Sequence, residues 1–223
     1  MVGIFIMDVS HSTSFNNTEQ ISNFLMNLEK NIKEWTAVLP HSYVNFRMGD
    51  ELFFVSDSPS AVLVLTYYIK LLWPFKNQPV KFGIAVGEAV LPEEQFEHWN
   101  DPLIKQARIA LEEIKNNELV DFKLAASEDV NLYNDVLFYY LTDIIHSQTT
   151  IQRQVYLQSL TVVMQKDLAE QFNKSVSTIS THLKKGHARQ LMLIQQSLEQ
   201  YDDTFVADMT ERITAYIKQE VSL

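Results

Sequence analysis

The segment YVNFRMGDELFFVS, residues 43–56, decides how the first half of the chain folds. Two β-prone runs, Tyr43 to Met48 and Leu52 to Ser56, flank Gly49-Asp50, and a Gly-X pair in that setting predicts a tight hairpin. Upstream, Val2 to Val9 is an almost unbroken apolar run, which predicts a central strand carrying a carboxylate, Asp8, near its end. Between the two lies Thr18 to Leu39, where Ile21, Leu25, Leu28, Ile32 and Trp35 fall at helical spacing. Downstream, Ser60 to Trp73 is apolar nearly all round and predicts a buried helix. Pro79 then opens a strand from Val80 to Glu88, with Gly83 and Gly87 where backbone or ligand can approach closely.

The order strand, helix, strand, strand, helix, strand predicts an α+β, ferredoxin-like (βαββαβ) unit, an antiparallel sheet backed by two helices. A further amphipathic helix, Asp101 to Asn116, and an edge strand, Asp121 to Ala126, complete a first domain over residues 1–126. In such a sheet the end of the first strand lies beside the hairpin, so Asp8 and Asp50 can converge as a divalent-metal site of the kind that holds nucleotide phosphates. The alternative is local: Gly49-Asp50 is good turn chemistry, and Asp8 can cap the next segment or pair with Arg47 or Arg108.

From about Ser127 the β pattern stops, and residues 127–223 read as an all-α domain. Val130 to Ile145 and Thr149 to Val163 are expected helices, as is Phe205 to Val221, whose apolar face could cover the core or pair with its twin. Between them, Gln165 to Lys185 reads as a helix-turn-helix. Leu168, Ala169 and Phe172 face inward, Asn173 takes a left-handed turn conformation, and Ser175 caps a second helix from Val176. Val176, Ile179 and Leu183 form its expected buried stripe. After Lys185, either Gly186 breaks the helix or it runs on through Arg189 to Leu198. Lys174, Ser175, Ser177, Thr178, Thr181, Lys184 and Lys185 are the candidate contacts to double-stranded DNA, mixing small hydrogen-bonding and basic side chains. Two such helices in a homodimer would meet half-sites about one DNA turn apart.

The totals bound these readings. The chain has 223 residues and no cysteine, which excludes disulfides and thiolate metal sites. No stretch approaches the roughly 20 apolar residues of a membrane span, and the first residues lack a basic leader, so a soluble, cytoplasmic protein without membrane contact is expected. A formal net charge of −10 argues against a generic nucleic-acid coat. Residues 161–190 nevertheless hold Lys166, Lys174, Lys184, Lys185 and Arg189 against only Asp167 and Glu170, a locally basic patch suited to site-selective binding. No catalytic triad order, phosphate-binding Gly-rich loop or dinucleotide fingerprint is present.

Several short motifs occur together: Ile6-Met7-Asp8 with Ser12-Thr13, Met48-Gly49-Asp50-Glu51-Leu52, Phe82-Gly83-Ile84-Ala85-Val86-Gly87-Glu88, and Trp99-Asn100-Asp101 followed by Ala107-Arg108. They resemble the palm domain of class III nucleotidyl cyclases and, more closely, the SatD-like family of bacterial proteins, which pairs a cyclase-like N-terminal domain with a C-terminal helix-turn-helix. The second helix, with Val176-Ser177-Thr178-Ile179-Ser180 and Leu183, is similar to those of bacterial regulators. The resemblance covers nearly the whole chain. It implies that Asp8 and Asp50 hold metal, that Arg108 steadies a nucleotide phosphate, and that Mg2+ with a purine nucleotide is the cofactor pair. Ile104 stands where the cyclases carry an asparagine one turn before that arginine. Isoleucine cannot donate a hydrogen bond to a ribose, so the resemblance implies a sensing or dimerising domain rather than an enzyme. The expected function is a DNA-binding transcriptional regulator. The alternatives are a nucleotide- and metal-binding protein or nucleotidyl cyclase-like enzyme, and a helical adaptor for another polypeptide.

Overall fold

β1 (Val2–Val9) is buried on both faces, as its unbroken apolar run requires, and lies at the centre of a five-stranded sheet. β2 (Ser42–Arg47), β3 (Glu51–Ser56), β4 (Val80–Gly87) and β5 (Phe122–Ala126) complete it in the order β2-β3-β1-β4-β5. β1 pairs antiparallel with both β3 and β4, β2 pairs antiparallel with β3, and β5 runs parallel to β4. This is a computed structural model that describes residues 1–12, 14–47, 49–93, 96–126, 130–162, 164–199 and 204–220. Thr13 and Met48, both in the quoted motifs, and the domain boundary expected near Ser127 lie outside them.

Arg47 stands opposite Glu51, so the chain reverses between them, with Gly49 at φ 117°. Only glycine adopts that backbone without strain.

Both faces of the sheet are covered. Phe5, Met7, Phe54 and Phe82 project into the core shared with α1 (Thr18–Trp35) and α2 (Pro59–Leu72), and Phe122, in the same core, stacks on Phe138. Val2, Ile4, Ile6, Phe53 and Ala85 project the other way, onto α3 (Pro102–Ile114). The second cover differs from a sheet backed by two helices alone. Gly83 makes it possible, because a Cβ there would stand 2.1 Å from the Ala107 carbonyl oxygen. Both α2 and α3 begin as their sequences dictate, with Ser58 and Asp101 as caps and a proline in the first turn of each.

The remaining helices are α4 (Phe138–Ser147), α5 (Thr150–Ser159), α6 (Gln165–Gln171), α7 (Val176–Lys185), α8 (Ala188–Glu199) and α9 (Thr204–Glu220). The helix expected over Val130 to Ile145 is present as continuous helical structure, with a π-helical turn at Tyr133–Leu137 leading into α4. There the Asn134 amide bonds both the N–H and the carbonyl of Leu124, at 2.9 and 2.8 Å, satisfying part of the β5 edge. α7 and α8 are separate helices. The chain turns at Gly186 and His187, the latter at φ 56°, and a Cβ on Gly186 would press on the His182 carbonyl at 2.9 Å. The expected ends at Val163 and Val221 lie outside the described residues.

α2 is apolar all round because it is covered on both sides: the sheet lies beneath it, and Leu191, Met209 and Ile213 of α8 and α9 belong to the same core above. Tyr67 ties these layers, its hydroxyl 2.6 Å from that of Tyr156 and donating or accepting there while 3.2 Å from the Leu191 carbonyl. One apolar core therefore runs across residue 126 into the helical half. Among the described residues no helix is long and apolar enough to cross a membrane.

Candidate functional site

Two regions carry the residues singled out by sequence. The first is the α5–α6–α7 unit. Val155, Leu168, Ala169, Phe172 and Ile179 form a small buried core of their own, with Leu183 joining it to the main one. Asn173 takes φ 47° between α6 and α7, and the Lys174 N–H reaches back to the Ala169 carbonyl at 2.9 Å. Ser175 caps α7 by accepting from the Thr178 N–H at 3.2 Å. α5 is fixed by a capping box between Thr149 and Gln152.

This frame leaves Lys174, Ser175, Ser177, Thr181, Lys184 and Lys185 exposed, with Thr178 half-buried. The hydroxyls are engaged locally: Ser175 Oγ lies 2.9 Å from Ser177 Oγ and 2.8 Å from Thr178 Oγ1, and Thr181 donates to the Ser177 carbonyl at 2.8 Å. Each keeps acceptor capacity. The lysines Lys174, Lys184 and Lys185 make no ion pair among the described residues. Val176 departs from the expected buried stripe, being 46% exposed. It is the first residue of α7, and the core is closed one turn later by Ile179, so nothing covers it. An apolar side chain thus joins the polar row.

The second region lies at the hairpin end of the sheet, on the α3 side. Asp8 stands opposite Glu51 in the β1–β3 register, and Asp50 precedes Glu51. Burial, and next the nearby Asp50 carboxylate, push the Asp8 carboxyl up to about 6, while Lys115, 3.7 Å away, opposes the rise. Arg108 on α3 does not point at Asp8. It donates from both terminal nitrogens to Glu51, at 2.9 and 3.0 Å, and that fork raises the guanidinium further. Arg47 donates to the same carboxylate at 3.1 Å. Ile104 lies one turn before Arg108, partly buried against the α3-side core. Asp8 and Asp50 are thus brought together, but Arg108 is turned to an internal carboxylate. Two carboxylates suit a magnesium ion that keeps several waters. Among the described residues no group of three or more acidic or histidine side chains is placed so that it could hold a metal ion.

A third cluster carried no clear signal in the sequence. Asp121 is fully buried beside Lys70 of α2, with Lys81 Nζ at 3.1 Å and His146 Nε2 at 2.6 Å. Burial alone would raise the Asp121 carboxyl, but the His146 hydrogen bond and the Lys70 ammonium outweigh it and hold the group well below the usual carboxylate range. The signal that could have found it is Lys70, the one charge within the apolar α2.

No family model, no curated protein and no solved structure matches this chain.

Proposed function

We propose that the chain is a DNA-binding transcriptional regulator. In this reading α6 and α7 form a helix-turn-helix whose second helix enters the major groove, and the sheet and its helices form a ferredoxin-like, cyclase palm-like domain that senses or dimerises. The protein would be a cytoplasmic homodimer of the SatD-like kind, presenting two recognition helices to half-sites about one DNA turn apart. The observation that supports it is the row on α7: Ser177, Thr181, Lys184 and Lys185 stand exposed on a helix held by its own three-helix core, with lysines that make no ion pair among the described residues of an otherwise acidic chain. Bulk charge cannot supply the affinity here, so the helix depends on base-edge contacts and on pairing of sites. The test is selection of genomic fragments by the protein, followed by the double variant Lys184→Glu with Lys185→Glu. Loss of retention with an unchanged far-UV spectrum supports the reading. Unchanged affinity at moderate salt, or steady co-purification with a polypeptide and never with DNA, removes it.

A second reading is favoured by Asp8 and Asp50 sharing the hairpin end of the sheet. There they would hold Mg2+ and a purine triphosphate, with Arg108 released from Glu51 to the phosphates. The metal would supply charge neutralisation for the phosphates, and Asp8 and Asp50 would orient it. Ile104 makes this a sensor rather than a catalyst. Calorimetry of ATP and GTP with magnesium decides it: no binding, or equal binding by Asp50→Asn, removes the reading.

A further inference from the structure

Two adjoining cavities, of about 210 and 160 Å3, open where the end of α2 and the loop after it meet α4 and α5. Each far exceeds the roughly 10 to 15 Å3 that one water needs. They share three wall residues, Trp73, Lys76 and Arg153, and no carboxylate is among the residues lining either. In a chain with 28 acids and 18 bases, that is a local reversal of sign.

Arg153 is the centre of this region. Its Nη1 donates to the Trp73 carbonyl at 3.2 Å and its Nη2 to the Ile145 carbonyl at 2.7 Å, while the buried Nε has no hydrogen-bond partner. No carboxylate pairs with it among the described residues. A guanidinium withdrawn from water without a counter-ion is costly, and burial lowers its pKa accordingly. Asp121, the acid of the adjoining cluster, is already shared by Lys70, Lys81 and His146 and makes no ion pair with Arg153. Lys70 and His146 line the smaller cavity beside Arg153, and Lys76 stands exposed at the mouth with its Nζ donating to the Gln148 carbonyl at 3.2 Å. Gln148 is 1% exposed, lines the larger cavity, and its Oε1 accepts from nothing among the described residues.

We propose that these cavities form a binding site for a phosphorylated small molecule, with Arg153 and Lys76 holding its phosphate and Gln148 Oε1 accepting from a hydroxyl of its other end. Arginine suits a phosphate because its planar fork matches two oxygens at once, and the two carbonyl bonds of Arg153 leave three N–H groups over, that of Nε and one on each terminal nitrogen. Trp73, fixed by donation from its Nε1 to the Gln78 carbonyl at 2.8 Å, supplies a flat wall for the rest of the ligand. The site also sits on a coupling element. Arg153 belongs to α5, whose neighbouring residue Val155 lies in the core with α6 and α7. A ligand bridging Trp73 and Arg153 ties the sheet side of the molecule to the helix that carries that unit. The proposal stands whether or not α7 binds DNA, and it is tested without DNA.

The experiment is thermal unfolding of the full chain at constant ionic strength with ribose 5-phosphate, inorganic phosphate or malonate, repeated on Arg153→Gln, Lys76→Gln and, as a remote control, Lys105→Gln. Ribose 5-phosphate is expected to raise Tm by about 5 °C at about a hundredfold its Kd. It should exceed inorganic phosphate, lose its effect in Arg153→Gln, weaken about tenfold in Lys76→Gln and persist in Lys105→Gln. Lys76 is exposed, so its variant keeps the test decisive if Arg153→Gln does not fold. Equal rises with the two phosphates assign the site to free phosphate and overturn the ester. A matching rise with malonate, no rise at all, or an unaltered response in Lys76→Gln overturns the proposal.

Discussion

Arg108 holds Glu51 in a two-pronged grip, 2.9 and 3.0 Å, across the end of the sheet where Asp8 and Asp50 meet. An arginine committed to an internal carboxylate is not free to meet a phosphate, so any nucleotide must first outcompete Glu51. The pair is partly exposed, and its net contribution to stability is no more than about 1 kcal/mol. Glu51→Gln should therefore fold normally and bind Mg–GTP several-fold more tightly than wild type in calorimetry. Equal or weaker affinity would show that Arg108 is a brace for the hairpin and not a phosphate ligand.

The carboxylates themselves give a pH signature. The Asp8 carboxyl is raised from its ordinary 3.8 to about 6, first by burial and then by Asp50. Between those two values the folded protein binds more protons than the unfolded chain, so stability falls as pH rises through that window, and the loss is complete above about pH 6. Asp8→Asn in metal-free buffer is expected to raise stability at pH 7 by about 1 to 2 kcal/mol, after allowance for partial solvent screening. The gain should vanish near pH 4. Urea unfolding at the two pH values checks it, and a gain independent of pH would assign the effect to packing.

Val176 yields a prediction about specificity. An exposed valine at the start of α7, beside Ser177, is positioned as an apolar contact for a thymine methyl on the DNA-binding reading. Val176→Ser should change stability by less than about 0.5 kcal/mol, as surface substitutions do. It should also lower affinity for a selected DNA several-fold, chiefly for sites carrying thymine at one position. Affinity unchanged across all sites would take Val176 out of the interface.

The sequence made visible what short-range chemistry controls. Ser58-Pro59 and Asp101-Pro102 announce helix starts, Gly49 announces a turn, Asn173 and Ser175 announce the joint between α6 and α7, and apolar periodicity gives the buried faces of α1 and α3. Val176 departs from the expected stripe because periodicity cannot tell that the first turn of a helix has no neighbour to cover it. The cluster around Asp121 and the cavities around Arg153 were not legible. Their members come from α2 and the loop after it, β4, the residue before β5, and α4 and α5, and apart from Lys70 inside apolar α2 none stands out in its own stretch of sequence. Likewise the turn of Arg108 toward Glu51 depends on α3 crossing the sheet, which follows from Gly83 only once the chain is folded.

The buried cluster at Asp121 separates two kinds of contribution. Lys70 is withdrawn from water, and burial draws its ammonium down from 10.5 to about 8 even though Asp121 pulls it up. Between those values the folded state holds fewer protons than the unfolded chain, so stability should rise as pH increases from about 8 to 10.5. Lys70→Met should abolish that rise and cost little at pH 7, because Asp121 keeps Lys81 and His146 while a desolvated charge is removed. Asp121→Asn is the opposite case. It leaves Lys70 and Lys81 buried without a counter-charge and should cost about 3 to 5 kcal/mol at pH 7. Urea unfolding of the two variants decides the matter. A Lys70→Met loss as large as that of Asp121→Asn would mean that the ammonium is a net stabilising partner and that the attraction outweighs its desolvation.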